Sequence, residues 1–171
     1  TAGNSGGGMY NSGISGMCNP TLTACTFQGN HADGDGGAMY NGGGSSGECN
    51  PIITNSLFFD NTAGDDGAVF FNYGINGGQS NPHLINCTFT NNTANSHGGV
   101  LYNYGVLGDC SPILQNCILW GNDAATGNDE IYRFGTTGTA SLSYCIFDDG
   151  NQNGTLSIRN HLRGKKNLCS R

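Results

Sequence analysis

Basic residues are missing from most of this chain. Positions 1–132 contain no Lys or Arg, and all six cations lie between Arg133 and Arg171. Without cations the body cannot neutralise phosphates, which excludes nucleic acid and anionic membrane surfaces as its partners. Long apolar runs are also lacking. The most compact one, Ala68-Val69-Phe70-Phe71, falls far short of the roughly 18 residues a spanning helix needs, so no membrane insertion is expected. No 3.6-residue stripe runs through positions 1–128, where Gly recurs every few residues, so amphipathic helices are not expected. There is no Cys-x-x-Cys pair, which argues against zinc. Charge is sparse as well: a net of −6 over 171 residues is too little to keep the chain unfolded. Thr1 is followed by neither a basic nor an apolar leader segment, so no signal peptide is read here.

What the chain does have is glycine, cysteine and a repeat. Asn-Pro or Ser-Pro recurs at Asn19-Pro20, Asn50-Pro51, Asn81-Pro82 and Ser111-Pro112, in steps of 31, 31 and 30. Each is followed by an aliphatic position (Leu22, Ile53, Leu84 or Ile85, Leu114), then Cys25, Ser56, Cys87 or Cys117, then Phe27, Phe58, Phe89 or Leu119. Three residues later stands Asn30, Asn61, Asn92 or Asn122. A Gly/Asp-rich turn then leads to a second apolar tract, at Gly8-Met9-Tyr10-Asn11, Ala38-Met39-Tyr40-Asn41, Ala68-Val69-Phe70-Phe71-Asn72 and Val100-Leu101-Tyr102-Asn103.

Strands this short cannot bury a face alone, but identical units stacked in register build one continuous core and satisfy the backbone from coil to coil. The expected fold is therefore all-β: a right-handed parallel β-helix of about five coils, with ~30–31 residues per coil. Residues 1–150 form the repeat domain and 151–171 a basic tail or end coil. The body holds all twelve acids against one Arg, a net of −11, while the tail carries five cations and no acid. Stacking places Asn30, Asn61, Asn92 and Asn122 in a ladder of side-chain amides that also tolerates left-handed backbone, and suggests a second ladder at Asn55, Asn86 and Asn116. Alternation turns Cys87 and Phe89 inward and Thr88 outward. In the second tract it favours Met39, Val69 and Leu101 inward, with Tyr10, Tyr40, Phe70 and Tyr102 as an outer aromatic stack.

The segments Phe27-Gln28-Gly29-Asn30 with Gly36-Gly37-Ala38-Met39, Phe58-Phe59-Asp60-Asn61 with Gly67-Ala68-Val69, and Phe89-Thr90-Asn91-Asn92 with Gly98-Gly99-Val100 resemble the FxxN and GGA[ILV] motifs of polymorphic outer-membrane protein repeats. Asn116-Cys117-Ile118-Leu119-Trp120-Gly121-Asn122, with Asn128-Asp129-Glu130-Ile131-Tyr132 and Ser143-Tyr144-Cys145-Ile146-Phe147, is similar to the final coils of bacterial choice-of-anchor Q β-helix proteins. The resemblance implies a secreted or surface-displayed bacterial protein with a structural or adhesive role. Its motifs record corner and core requirements rather than chemistry.

Thr1 to Gly7 aligns with Thr62 to Gly67, half-way round a coil. That is the pattern either of a fragment or of a subunit adding head to tail into filaments by coil-on-coil self-association. Cys18 and Cys49 stand before Asn-Pro in consecutive coils, close enough for a disulfide. Cys110 occupies the same position two coils beyond Cys49, which leaves Cys169 in the tail as its partner. Cys25, Cys87, Cys117 and Cys145 read as a buried column, with a Cys87–Cys117 bridge or reduced thiols both open. An even number of Cys and their loop placement suit an extracytoplasmic setting.

Uronate lyase chemistry needs a cation and a base, and the coils have none before Arg133. Enzymatic use of the turn acids Asp33, Asp35, Asp65 and Asp66 is not expected. The same acids are the candidate ligands for calcium, the one cofactor considered, against an ordinary turn preference of Asp beside Gly. Asp123, Asp129 and Glu130 form a second, weaker set, and His31 and His97 read as polar corners. An ice-binding array is excluded because Thr26, Leu57, Thr88 and Ile118 are not a regular Thr column. The alternative function is a carbohydrate-binding or polysaccharide-degrading β-helix, with surface glycans on the outer Tyr and Trp120 faces.

Overall fold

The computed structural model describes residues 2–127, 130–135 and 137–148, together with the backbone of Leu156–Arg159 and Leu162–Gly164. Every strand pairs in parallel with its equivalent one repeat away, and four sheets run along the stack. In each coil the strand after proline comes first (Thr21–Thr23, Ile52–Thr54, His83–Ile85, Ile113–Gln115, Ala140–Ser143). The phenylalanine strand follows (Thr26–Gln28, Leu57–Phe59, Thr88–Thr90, Ile118–Trp120, Ile146–Asp148). Then come a two-residue strand (His31–Ala32, Thr62–Ala63, Thr93–Ala94, Asp123–Ala124) and the tyrosine strand (Met9–Ser12, Met39–Gly42, Phe70–Tyr73, Leu101–Tyr104, Ile131–Phe134). The short sheet has four members, so the stack closes about four complete turns rather than the five expected. Leu156–Arg159 and Leu162–Gly164 extend the first two sheets, so part of the basic tail continues the coil.

The core is a set of vertical columns. Phe27, Phe58, Phe89, Leu119 and Phe147 stand in register, and the Phe27–Phe58 and Phe58–Phe89 rings stack at 4.8 and 5.1 Å. Leu22, Ile53, Leu84, Leu114 and Leu142 form a second column and Met9, Met39, Phe70, Leu101 and Ile131 a third. Burying one such side chain stabilises by about 1.5–3 kcal/mol, and here each lies on its own kind from the next coil. Ala32, Ala63, Ala94 and Ala124 line the short sheet and are buried, with Ala63, Ala94 and Ala124 clustered around Ala68.

Corners are set by single left-handed residues. One follows the proline strand, at Ala24, Asn55, Asn86, Asn116 and Tyr144, all with φ of 52–55°. The other precedes the FxxN asparagine, at Gly29, Asp60, Asn91 and Gly121. The left-handed residue at this second corner is therefore the one before Asn30, Asn61, Asn92 and Asn122, not those asparagines as the sequence suggested. At the first corner Asn is at ease and Ala is not. Ala24→Asn is expected to stabilise by about 0.5–1 kcal/mol and Ala24→Val to destabilise by about 1 kcal/mol, read as shifts in urea midpoint.

The Gly-rich returns to proline nest backbone on backbone. A Cβ at Gly43 would lie 1.7 Å from the Gln79 carbonyl oxygen, and one at Gly78 1.6 Å from that of Gly43. The asparagine before each proline does separate work. Asn19 and Asn50 accept through Oδ1 from the backbone N–H of Asn50 and Asn81, at 2.7 and 2.8 Å.

Candidate functional site

Two interior asparagine ladders anchor the coil. Asn30, Asn61 and Asn92 each donate through Nδ2 to Oδ1 of Asn61, Asn92 and Asn122 at 2.8 Å, and each backbone N–H donates to that same oxygen. Asn122 passes its amide proton to Glu130 Oε2 at 3.1 Å, so Glu130, fully buried, ends the ladder instead of serving a metal with Asp123. Asp129 lies outside the described residues. The second ladder was not foreseen: Asn11, Asn41 and Asn72 donate to Asn41, Asn72 and Asn103 at 2.9, 3.0 and 2.8 Å, all buried. Its signal in the sequence is the aromatic-Asn pair inside the first four tyrosine strands. The corner asparagines Asn55 and Asn86 also bond, at 3.1 Å and exposed to solvent.

That second ladder corrects the aromatic stack. Phe70 pairs with Met39 and Leu101 and is wholly buried against Phe58, at 5.1 Å. The outer column is Tyr10, Tyr40, Phe71, Tyr102 and Tyr132, with ring centroids 4.7–5.5 Å apart and planes within 19°. Val69 belongs one position earlier, on Ala38 and Val100. Both Phe70 and Phe71 are apolar, so alternation alone could not choose between them. A second outer column stands beside the first, with Tyr73 stacked on Tyr104 at 5.5 Å and Tyr104 on Phe134 at 5.0 Å. Within the first column each inner ring is covered on both faces by its neighbours, so Phe71 and Tyr102 are buried while Tyr10 at its start is exposed. Burial first, and then neighbouring phenols and carboxylates, push the Tyr40 and Tyr102 hydroxyls well above the usual phenol range.

The turn acids stand beside this column. Asp33 pairs with His31 at 3.1 Å, and Asp66 with His97 at 3.0 Å. Asp35 accepts the Asp66 N–H at 3.3 Å, and burial, with repulsion from Asp66 and Asp65, raises its carboxyl to about 6. Among the described residues no three His, Cys, Asp or Glu side chains converge as a metal centre would need. Asp35 also lines an open groove of about 490 Å³ with Asn4, Ser5, Tyr10, Tyr40, Phe71 and Tyr73.

An acid whose folded pKa is raised holds its proton in the folded state while the unfolded chain has lost it. Its contribution is whole below about pH 4 and disappears as pH rises through about 6. Asp35→Asn should therefore flatten the fall in melting temperature between pH 4 and 6.5. Equal slopes for the two proteins would refute the assignment.

The cysteines are unbonded among the described residues, so the expected Cys18–Cys49 disulfide is not seen. The thiols are engaged with the backbone instead. Cys49 directs its sulfur at the Asn11 carbonyl (3.8 Å), and Cys110 at that of Asn72 (3.4 Å). Ser80, in the same column between them, bonds the Asn41 carbonyl at 2.9 Å. Burial raises both the Cys49 and Cys110 thiols to about 12. The Cys110–Cys169 pairing falls outside the described residues at Cys169.

The inner column behaves alike. Cys25, Ser56, Cys87, Cys117 and Cys145 each donate to the carbonyl two residues earlier, at 2.9–3.5 Å. Sulfur hydrogen bonds to Cys145 and Cys87, together with burial, hold the Cys117 thiol far above the ordinary range. A small donor is what the site needs, so Cys87→Ser should stay within about 1 kcal/mol of the parent and Cys87→Val should cost more. The reverse order in urea unfolding would show that volume rules the position.

Residues 24–44 and 86–104 match the Chlamydia polymorphic membrane protein repeat. No curated protein and no solved structure matches the chain. The chain is thus similar to polymorphic membrane protein repeats over two of its coils. With the parallel β-solenoid, this fits a structural or adhesive protein of a bacterial surface.

Proposed function

We propose that the chain is a non-enzymatic structural or adhesive β-solenoid displayed at, or secreted from, a bacterial surface. The observation that carries this reading is the repeat match falling on the same residues that hold coil to coil, Asn30 and Asn92 among them. Their chemistry is used in stacking, and the solenoid serves as a rigid support whose outer columns face a partner. Coil-on-coil self-association would use the same backbone pairing between copies.

Antibody against the chain should label intact cells of the source bacterium, and beads coated with the chain should adhere to a surface that the cells colonise. Labelling only after cell lysis, or beads that adhere no better than albumin-coated ones, would remove the proposal. Sedimentation velocity at rising concentration reads self-association separately. Growth of a series of larger species supports it, and a single monomer boundary at every concentration excludes it.

A further inference from the structure

We infer that the groove between the Asp35 turn and the tyrosine column binds an organic cation with N–H donors: the ammonium or guanidinium head of a Lys or Arg side chain on a partner protein. This stands on the groove itself and does not need the surface role.

Space comes first. A groove of about 490 Å³ has room for a charged head and several methylene groups. Its wall is rich in acceptors. Asp35 brings the carboxylate, an acceptor only, and Asn4, Ser5, Tyr10, Tyr40 and Tyr73 bring groups that accept as well as donate. Phe71 supplies an apolar surface for the stem.

Charge is one-sided. The neighbouring acids have partners, Asp33 in His31 and Asp66 in His97, whereas no cation lies within ion-pair distance of Asp35 among the described residues. The coils offer none, because the first Lys or Arg of the chain is Arg133. A ligand carrying positive charge therefore relieves the repulsion that Asp65 and Asp66 exert on Asp35.

The stacking decides which kind of cation. Tyr40 and Phe71 have their faces taken by their neighbours at 4.7–5.5 Å, so an aromatic cage for a quaternary ammonium cannot form around them. Donor hydrogens directed at oxygens remain as the mode of recognition. Calcium prefers six to eight oxygens with several carboxylates, and this groove offers one.

The test is an NMR titration of the full chain at pH 7 and constant ionic strength with N-acetyl-lysine methylamide, tetramethylammonium chloride and calcium chloride, following the Asp35 carboxyl carbon and the tyrosine rings. The lysine analogue should saturate with a Kd on the order of 1–10 mM and lower the Asp35 titration midpoint. Asp35→Asn should weaken it at least about fivefold, and Asp60→Asn, an exposed acid on another corner, should leave it unchanged. Absence of saturation, undiminished binding by Asp35→Asn, or an equal response to tetramethylammonium or calcium would each overturn the inference.

Discussion

Asn92→Ala is expected to lower stability by about 4 kcal/mol. The Asn92 side chain is wholly buried and uses its full bonding capacity. Nδ2 donates to the Phe58 carbonyl and to Asn122 Oδ1, while Oδ1 accepts from both the backbone and the side-chain amide of Asn61. Truncation removes a bond from four groups at once; Asn122 Oδ1 keeps the Asn92 backbone N–H and Asn61 Nδ2 keeps the Phe27 carbonyl, while the Asn61 backbone N–H loses its side-chain acceptor, and four lost bonds at about 1 kcal/mol each give the expected total. Asn92→Asp sharpens the test. At neutral pH it sets carboxylate oxygens against the Phe58 carbonyl and Asn122 Oδ1 and should be worse than Ala. Protonation restores one donor, so this variant should gain more stability than the parent as pH is lowered. Denaturant unfolding at pH 7 and pH 4 reads both effects, and a loss below about 1 kcal/mol for Asn92→Ala would mean that the ladder is decorative.

Phe58→Ala should cost about 3–5 kcal/mol, since the ring is buried between Phe27 and Phe89 and touches Phe70 from the next column. In a stack each coil contacts only its neighbours, so the loss falls on the interfaces on both sides of the second coil. The first two coils should then melt ahead of the rest. Tyr10 and Tyr40 lie in those coils and Trp120 in a later one, so the assigned NMR ring signals of Tyr10 and Tyr40 and the fluorescence of Trp120 should report separate midpoints. Coincident midpoints would show that the solenoid unfolds as one unit despite the damage.

How far the sequence reached follows from what repeats. Pro20, Pro51 and Pro82, with Phe27, Phe58 and Phe89, recur at fixed steps because each must lie on its own image, so the fold and the Phe column were legible. The exposed surface was less so. Phe70 and Phe71 are chemically alike, and only Asn72, equivalent to Asn41 and Asn103, marks which one faces inward. The thiols were less legible for a related reason: coil spacing stacks Cys18 on Cys49, but spacing does not say whether two sulfurs bond. Ser56 and Ser80, standing in the two cysteine columns, were the hint that the positions ask for a hydrogen-bond donor. The groove at Asp35 draws Asn4 and Ser5, Tyr10 and Tyr40, and Phe71 and Tyr73 from three successive coils, and no single repeat displays that grouping.

In both interior asparagine ladders the bonds from side chain to side chain all point the same way, toward the later coils. Their bond dipoles therefore add head to tail, as peptide dipoles do in an α-helix, and give this strand-only molecule an electrical direction along its axis. The carboxylate of Glu130 sits where the positive pole of one ladder emerges, in the place that an acidic side chain takes at a helix N-terminus. That buried acid closes a chain of amides running from Asn30 to Asn122.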